Sequence, residues 1–422
     1  MAAGYPDDST SLKIVVGVAG GIAAYKACHL VRAFTERGHS VRVVPTESAL
    51  KFVGAATFEA LSGNPVATTV FEAVDEVQHV RVGQDADLIV IAPATADLMA
   101  RAAHGQANDM LTATLLVATC PVVFAPAMHT EMWNHPATQD NVATLRRHGK
   151  IVLPPAHGRL TGKDTGPGRL PEPEQIAKLA LLAARAPQAF AQDLAGKHVV
   201  ITAGGTREAI DPVRFIGNHS SGRQGYAIAE VAAARGADVT LIAGATDELP
   251  VPAGANVVRI GSAREMEKAV ADAAPEADVC IFAAAVADFR PANEATSKMK
   301  KGSADDALTR IDLIENPDIL ATTVQRREAG EIPASTVLVG FAAETGDDSH
   351  TPLEFAKVKL AKKGCDVLLC NDVSAGKTFG SDDNVGWLLD STGAVVDVPF
   401  GTKYEVASHL LDHVVTIVNR LV

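Results

Sequence analysis

Aromatic residues are scarce in this chain of 422 residues, at 5%. Ala, Val and Gly abound instead, as buried parallel strands and close helix–sheet packing require. No apolar run reaches the ~18 residues that a membrane helix needs, so no span is expected. Basic excess is also missing. A formal net charge of −12 disfavours nucleic acid as a partner, because phosphate backbones need a basic face. Small anionic ligands stay open where local Lys, Arg and N–H groups offset the global field. The five cysteines (Cys28, Cys120, Cys280, Cys365, Cys370) form no CxxC pair and are odd in number. That excludes a disulfide framework and suits a reducing cytoplasm. The first residues lack the basic and apolar regions of a signal peptide, and 1–11 read as a disordered leader. No Walker motif (GxxxxGK[ST]) occurs, which speaks against a P-loop mechanism.

What is present is one pattern written twice. Lys13-Ile-Val-Val-Gly-Val-Ala-Gly-Gly-Ile-Ala-Ala-Tyr-Lys26 runs from an apolar strand through a glycine turn into a helix. His198-Val-Val-Ile-Thr-Ala-Gly-Gly-Thr-Arg207 repeats it, with a long insert before the helix near Tyr226. Glycines allow sharp turns and close backbone approach, and a helix N-terminus offers N–H groups to an anion. Two such turns a domain's length apart suggest two α/β domains, each holding a phosphorylated molecule.

Apolar runs over 14–18, 41–45, 87–93, 121–126 and 151–154 alternate with helical patterns over 22–37, 95–103 and 137–148. Such alternation implies βαβ units and a parallel sheet, with ligands beyond the carboxyl ends of the strands. The stretch 158–174 carries too many Gly and Pro for regular structure and reads as a flexible flap. A helix follows over 174–186, and 187–196 is the best linker candidate. Strands are then expected over 198–203, 238–243, 257–260, 278–284, 309–314, 336–341 and 366–370. Helices are expected over 223–235, 262–274, 317–329 and 352–364. A hairpin over 385–398 and a helix over 403–421 close the chain.

Polar and small residues gather after these runs. Thr95 stands at a helix N-cap after Asp87-Leu-Ile-Val-Ile-Ala-Pro-Ala-Thr-Ala-Asp97. Asn108-Asp109 follow a turn at Gly105, and Pro126-Ala-Met-His-Thr-Glu-Met-Trp133 follows another strand. Hydroxyls, an amide and sulfur at strand ends suit a flat ring with a phosphate. In the second half, the polar stretch Gly204-Gly-Thr-Arg-Glu-Ala-Ile-Asp-Pro-Val-Arg-Phe-Ile-Gly-Asn-His-Ser-Ser-Gly222 reads as an anion site before a helix. Ala283-Ala-Ala-Val-Ala-Asp-Phe-Arg290, the basic Lys298-Met-Lys-Lys301, Asn316-Pro-Asp-Ile-Leu320 and Gly340-Phe-Ala-Ala-Glu-Thr345 end strands or open helices. Lys359 and Lys363 share one helix face.

Gly20-Gly-Ile-Ala-Ala-Tyr-Lys26, Ala92-Pro-Ala-Thr-Ala-Asp-Leu-Met-Ala-Arg101, Ala107-Asn-Asp109 and Pro126-Ala-Met with Met132-Trp133 resemble flavin-dependent cysteine decarboxylases. With the second half, the chain from about residue 12 resembles the bacterial bifunctional phosphopantothenoylcysteine decarboxylase/phosphopantothenate–cysteine ligases of coenzyme A synthesis. The resemblance implies two Rossmann-like three-layer domains: a flavodoxin-like decarboxylase over 12–188 (flap 158–172), a linker over 189–196, and a ligase with a mainly parallel sheet over 197–422. It implies FMN at Gly20, Gly21, Ile22, Thr46, Ala94, Thr95, Ala96, Asn108 and Met128, and a catalytic His79. FMN would oxidise the substrate thiol to a thioaldehyde, CO₂ would leave, and reduced flavin would return the electrons to give 4′-phosphopantetheine.

For the ligase, it implies CTP at Ala283, Ala284, Asp288, Lys298, Pro317, Asp318, Ile319, Leu320, Phe341, Lys359 and Lys363. Phosphopantothenate would sit at Gly204, Gly205, Ser220, Ser221 and Gly222, and Asn218 would act on the acyl-cytidylate. Mg²⁺ would be held mainly by phosphates, without a dedicated protein cage. Decarboxylase trimers and ligase dimers would close into a homododecamer.

Two positions depart from the family pattern. His129 stands in an Asn slot, where it can still donate to a substrate carboxylate, and Gly162 stands in the slot of the flap Cys that donates a proton. Lys163 and His129 are the candidate replacement donors. The alternatives are an NAD(P)-dependent oxidoreductase, against which neither glycine turn reads GxGxxG, and an active ligase whose decarboxylase half is a flavin-binding assembly module.

Overall fold

A computed structural model describes residues 10–66, 78–160, 164–299, 310–345, 350–372 and 383–421. The chain divides into two compact units, Met1–Ala191 and Gln192–Val422.

The first unit runs β1 (Lys13–Val18), α1 (Lys26–Thr35), β2 (Ser40–Pro45), α2 (Ala55–Ser62), α3 (Gln78–Gln84), β3 (Leu88–Ala94), α4 (Ala96–Ala103), α5 (Met110–Val117), β4 (Val122–Pro126), α6 (Thr130–Asn134), α7 (Pro136–Arg147), β5 (Ile151–Val152), β6 (Ala156–Arg159), β7 (Thr165–Arg169) and α8 (Pro173–Arg185). Five strands form a parallel sheet in the order β2-β1-β3-β4-β5. This is the flavodoxin-like order, which reverses direction between β1 and β3. β3 is apolar and buried along its whole length because helices cover both faces. α1 packs on α8, and α4 on α7. At Gly17 a Cβ would stand 2.5 Å from Ile91 Cδ1 and 2.6 Å from Leu111 Cδ1, so the missing side chain lets α5 lie close on β1 and β3.

The second unit continues with β8 (His198–Ala203), β9 (Arg207–Ala209), β10 (Phe215–Gly217), α9 (Arg223–Ala234), β11 (Asp238–Ala243), β12 (Ala255–Arg259), α10 (Ala263–Ala273), β13 (Val279–Phe282), β14 (Phe289–Pro291), β15 (Leu313–Glu315), α11 (Ile319–Glu328), β16 (Val337–Glu344), α12 (Pro352–Lys363), β17 (Val367–Asp372), β18 (Asp383–Asp390), β19 (Val395–Thr402) and α13 (Lys403–Leu421). Its eight-stranded sheet has the order β12-β11-β8-β13-β16-β17-β18-β19. The six parallel strands, counted along the chain, lie 3-2-1-4-5-6, the doubly wound dinucleotide-fold order. β18 and β19 add an antiparallel edge. The α/β class with two Rossmann-like parallel sheets is therefore borne out.

The start of the second unit is pinned by Arg235. Its side chain is 2% exposed and donates to Asp193 Oδ1 at 2.8 Å and to Asp412 Oδ1 at 2.6 Å. Burial alone would weaken this charge, but the two carboxylates hold the guanidinium pKa above its usual value. The Gln192 amide donates to Ala234 O at 2.6 Å, so this part of the expected linker is folded onto α9.

Several expectations need correction. The flap is a two-stranded antiparallel hairpin of β6 and β7, because Gly158 and Gly168 take positive φ angles that permit pairing. Its residues 161–163, Gly162 and Lys163 among them, lie outside the described residues. The strand expected over 309–314 is the short β15 paired with β14, and 300–309 also lie outside. The expected strand over 151–154 narrows to two residues. Helices α2, α3 and α5 and the hairpin of β9 and β10 were not anticipated.

Gly225 gives a test of the packing. A Cβ there would lie 2.5 Å from Ala203 Cβ, with backbone Thr202 O behind it at 3.2 Å. Helix propensity would gain about 1 kcal/mol from Gly→Ala, whereas overpacking costs about 1–3 kcal/mol. Gly225→Ala should therefore destabilise the second unit, read as a lower urea midpoint.

Candidate functional sites

In the first unit, Ala19 N donates to Pro93 O at 3.2 Å and ties the carboxyl ends of β1 and β3 together. A Cβ on Gly20 would stand 2.3 Å from Ser48 Cβ, so this glycine serves chain packing. Gly21 differs: its φ is −167°, and the nearest heavy atom to a Cβ there is Thr95 Cγ2 at 3.6 Å. A Cβ at Gly21 would thus make only ordinary contact with Thr95, so no packing clash requires this glycine. Ile22, next in the turn, is exposed. Thr95 caps α4, its Oγ1 accepting from Leu98 N at 3.4 Å, and Ala96 begins that helix. Ala94 O receives Ala127 N at 3.0 Å, and Met128 N donates to Gly168 O at 2.9 Å. The hairpin therefore lies directly on the segment after β4. Thr46 is buried and its Oγ1 accepts from Ala49 N at 3.2 Å, so its hydroxyl oxygen already takes part in the local turn.

His79 lies in the first turn of α3, and its Nδ1 is buried without a hydrogen-bond partner among the described residues. Gln78 Oε1 and Thr130 Oγ1 are orphaned in the same way. Buried polar atoms without partners cost about 1–3 kcal/mol each, which a bound ligand or water would relieve. His129 is exposed at the N-cap of α6, and its side chain caps nothing.

In the second unit, Gly204, Gly205, Asn218 and Gly222 converge. Gly204 and Gly222 have φ of 79° and 74°. A Cβ on Gly205 would lie 2.5 Å from Asn218 O, and one on Gly204 2.5 Å from Ala245 O. Gly205 bridges Ala245 on one side and Ala285 on the other. The Ser220 and Ser221 hydroxyls accept from Gly222 N at 3.3 Å and Arg223 N at 3.5 Å, shaping the entry to α9. Asn218 Nδ2 donates to Val286 O at 3.0 Å, which commits one of its two N–H groups.

Beside this turn, beyond the carboxyl ends of β8, β13 and β16, lies a cleft of about 570 Å³. It brings together Ala284, Asp288, Pro317, Asp318, Ile319, Leu320, Phe341, Lys359 and Lys363. Ala283 and Lys298 do not line it: Ala283 precedes the turn, and the Lys298 segment docks on the turn between β9 and β10 through Met299 N and Asp211 Oδ2 at 3.2 Å. Asn316, which enters the sequence analysis in its motif without a site role, also lines the cleft. Its Nδ2 donates to Ala287 O at 2.8 Å and its Oδ1 accepts from Arg290 at 3.1 Å, fixing one wall. The Asn-Pro dipeptide opening the helix was the available signal.

Both cleft lysines are paired, Lys359 with Glu344 at 3.1 Å and Lys363 with Asp318. Asp318 also caps α11 by accepting from Ala321 N at 3.1 Å. Partial burial opposes its ionisation, but the Lys363 and Ala321 hydrogen bonds and the Lys363 and Lys362 charges hold its carboxyl below the usual range. A depressed folded pKa gives stability that is fully present above the ordinary carboxylate pKa of about 4 and is lost as pH falls through the lower folded value. The stability difference between wild type and Asp318→Asn should therefore be constant from pH 7 to 5 and shrink below about pH 4, in thermal melts across that range.

Two family models match the chain: Flavoprotein over residues 3–184, and the DNA/pantothenate metabolism flavoprotein C-terminal domain over 194–418. The chain is 61% identical over 406 residues to the coenzyme A biosynthesis bifunctional protein CoaBC of Mycolicibacterium smegmatis, covering 96% of this chain and 98% of that one. It is 43% identical over 413 residues to the protein of the same name from Vibrio vulnificus, covering 97% and 98%. Among solved structures, the C-terminal domain of a coenzyme A biosynthesis bifunctional protein CoaBC is 36% identical, with a TM-score of 0.44, over 54% of this chain and 99% of that one. With matches this long and this similar in both halves, the chain belongs to the CoaBC family of bifunctional coenzyme A biosynthesis proteins.

Proposed function

We propose that the second unit joins 4′-phosphopantothenate to cysteine with CTP, and that the first unit decarboxylates the product to 4′-phosphopantetheine with FMN. The observation that carries the ligase reading is the cleft, which unites segments distant in sequence around two lysines and Phe341. Lys359 and Lys363 offer charge to a triphosphate, and Phe341 offers a ring edge to a base. The substrate carboxylate attacks the CTP α-phosphorus, pyrophosphate leaves, and the amine of cysteine then displaces CMP. The uncommitted N–H of Asn218 donates to the acyl oxygen as charge grows there. The converging Gly204 and Gly222 turn, with Ser220 and Ser221, holds the substrate phosphate. Mg²⁺ travels with the phosphates.

For the first unit, the flavoprotein match and the crevice at Gly21 and Thr95 support FMN. Flavin, when bound, supplies the two-electron chemistry at the substrate thiol. His79 moves protons through its unpartnered Nδ1. His129 meets the substrate carboxylate from the start of α6.

In this reading the chain is cytoplasmic and assembles as a homododecamer of first-unit trimers and second-unit dimers. No helix among the described residues is long and apolar enough to cross a membrane. Exposed Ile22, Tyr25 and Phe52 in the first unit, and Val396 and Phe400 on the edge strand of the second, supply apolar surface for contacts between copies. Light scattering should give twelve chains per particle, and a monomer would refute the assembly.

The deciding experiment is mass spectrometry of products from phosphopantothenate, cysteine, CTP and Mg²⁺. Phosphopantetheine and CMP are expected. Lys363→Ala should raise the KM for CTP about tenfold, the loss of one charge-assisted contact. The same variant should leave CO₂ release from supplied phosphopantothenoylcysteine unchanged. No CO₂ release from wild type would leave the first unit as a flavin-binding module.

A further inference from the structure

Helices α4 and α7 pack on each other and end in the same way. Each closes on a histidine, His104 or His148, followed by a glycine of positive φ, 67° at Gly105 and 72° at Gly149. Gln106 N then donates back to Arg101 O at 3.0 Å, and Lys150 N to Leu145 O at 2.9 Å. These backbone bonds satisfy carbonyls of the last turns and fix the residues that follow the glycines. Residues of both helix ends line a pocket of about 420 Å³. Buried Leu115, Phe124 and Leu145 give it an apolar lining, and His104, His148 and Lys150 give it polar groups. Among the described residues, no Asp or Glu lines it. Lys150 directly precedes β5, and α4 and α7 both finish here, so the pocket lies toward the amino ends of the strands. It shares no lining residue with the second unit's cleft.

The charge around this pocket is one-sided. Arg146-Arg147-His148-Gly149-Lys150 is a basic run in a chain of net charge −12. Arg146 Nη2 donates to Val152 O at 3.1 Å, and Arg147 Nη2 to Thr144 Oγ1 at 2.9 Å. Arg146 Nε is buried without a hydrogen-bond partner among the described residues. Among those residues, Arg146, Arg147 and Lys150 form no ion pair with a carboxylate. The lysines of the second unit's cleft differ, since each of them has a carboxylate partner. Burial pushes the Arg146 guanidinium and the Lys150 ammonium below their usual pKa values, with the Cys120 thiol opposing the shift at Lys150. Basic residues near a helix C-terminus are expected from the dipole alone. The dipole does not account for an apolar pocket beside them, nor for two half-buried cations without a counter-ion.

We propose that this pocket binds an organic anion with an apolar body, its carboxylate on Lys150 and its chain against Leu115, Phe124 and Leu145. The size suits a small molecule, because ligand pockets run from about 300 to 1,000 Å³ with mostly apolar linings and a few polar groups. A bare inorganic anion would leave the apolar lining in water. A neutral apolar molecule would desolvate Lys150 further and give it no counter-ion. His104 and His148 can each donate an N–H to the head group in either protonation state.

The probe is octanoate, titrated calorimetrically into the full chain, with octanol as its neutral counterpart. Wild type should bind octanoate more tightly than octanol. Lys150→Met should weaken octanoate about tenfold, the loss of one charge-assisted contact, and leave octanol unchanged. Leu116 is exposed on the rim of the pocket, and Leu116→Gln should weaken both molecules several-fold. Leu116→Gln carries the test if Lys150→Met does not fold. Octanoate that fails to bind wild type, or that binds the folded variants like wild type, overturns the site. Inorganic phosphate that binds as tightly as octanoate also overturns it, leaving a basic surface patch alone. A changed particle mass of either variant in light scattering would show that a second copy covers the pocket, and overturns a small-molecule occupant.

Discussion

A parallel sheet whose strand order reverses has one place where successive crossovers leave in opposite directions, and there the carboxyl ends open into a crevice. Both units are organised around such a point, between β1 and β3 in the first and between β8 and β13 in the second. The register of β1 sets Val18 beside Pro45 of β2 and Gly17 beside Ile91 of β3, which brings the three strand ends together. The bond from Ala19 N to Pro93 O locks that arrangement. In the second unit the same constraint brings Gly205 against Ala285, and the pair of bonds from Gly205 N to Ala245 O and Ala245 N to Gly205 O extends the contact to β11. Every candidate ligand group then follows from which loop leaves which strand. Small residues are required at these loops because three chain segments meet within a few ångströms.

Charge imposes the second constraint. A chain of net charge −12 repels anions at long range, yet the second unit's cleft has lysines on its wall. Those lysines are held by Glu344 and Asp318, whose carboxylates prevent the cations from repelling each other or straying into solvent. In the proposed function a triphosphate would have to compete with them for the same ammonium groups. Its net gain would be smaller than a bare lysine would offer, and a divalent cation carried with the phosphates would offset the two carboxylates left behind. Asp318 has a second task as the N-cap of α11, which holds it in place independently of Lys363.

Much of this was legible in the sequence, and the rest was hidden for identifiable reasons. The parallel strands were readable because continuous apolar runs of Val, Ile and Ala ended in small polar residues. Helix α5, Met-Leu-Thr-Ala-Thr-Leu-Leu-Val, escaped because six of its residues, both threonines among them, are buried, leaving no polar face to set a period. The hairpin of β6 and β7 escaped because its glycines take conformations that strand residues rarely adopt, so local propensity argued against pairing. The cleft brings together residues from four separate motif segments. Ala283 and Lys298 stand outside its lining, because a motif names a neighbourhood while the path of the backbone decides which residue faces a cleft. The pocket at the ends of α4 and α7 needed the turns at Gly105 and Gly149, and that geometry has no one-dimensional signature.

The repeated glycine turn acquires a divided meaning from these contacts. Glycine pairs at strand ends are usually credited to a ligand's close approach. At Gly20, Gly204 and Gly205 the atoms that forbid a Cβ belong to the protein itself: Ser48, Ala245 and Asn218. Those three glycines exist so that the loops of neighbouring strands can touch. Gly21 alone of the four would accept a Cβ without a clash, its nearest contact being Thr95 Cγ2 at 3.6 Å. A side chain at Gly20 would push the loops apart, whereas one at Gly21 would make only ordinary contact with Thr95. The packing demand therefore falls on one residue of the first pair. In the second turn both glycines are needed for the chain segments of the site to meet, whatever else their N–H groups hold.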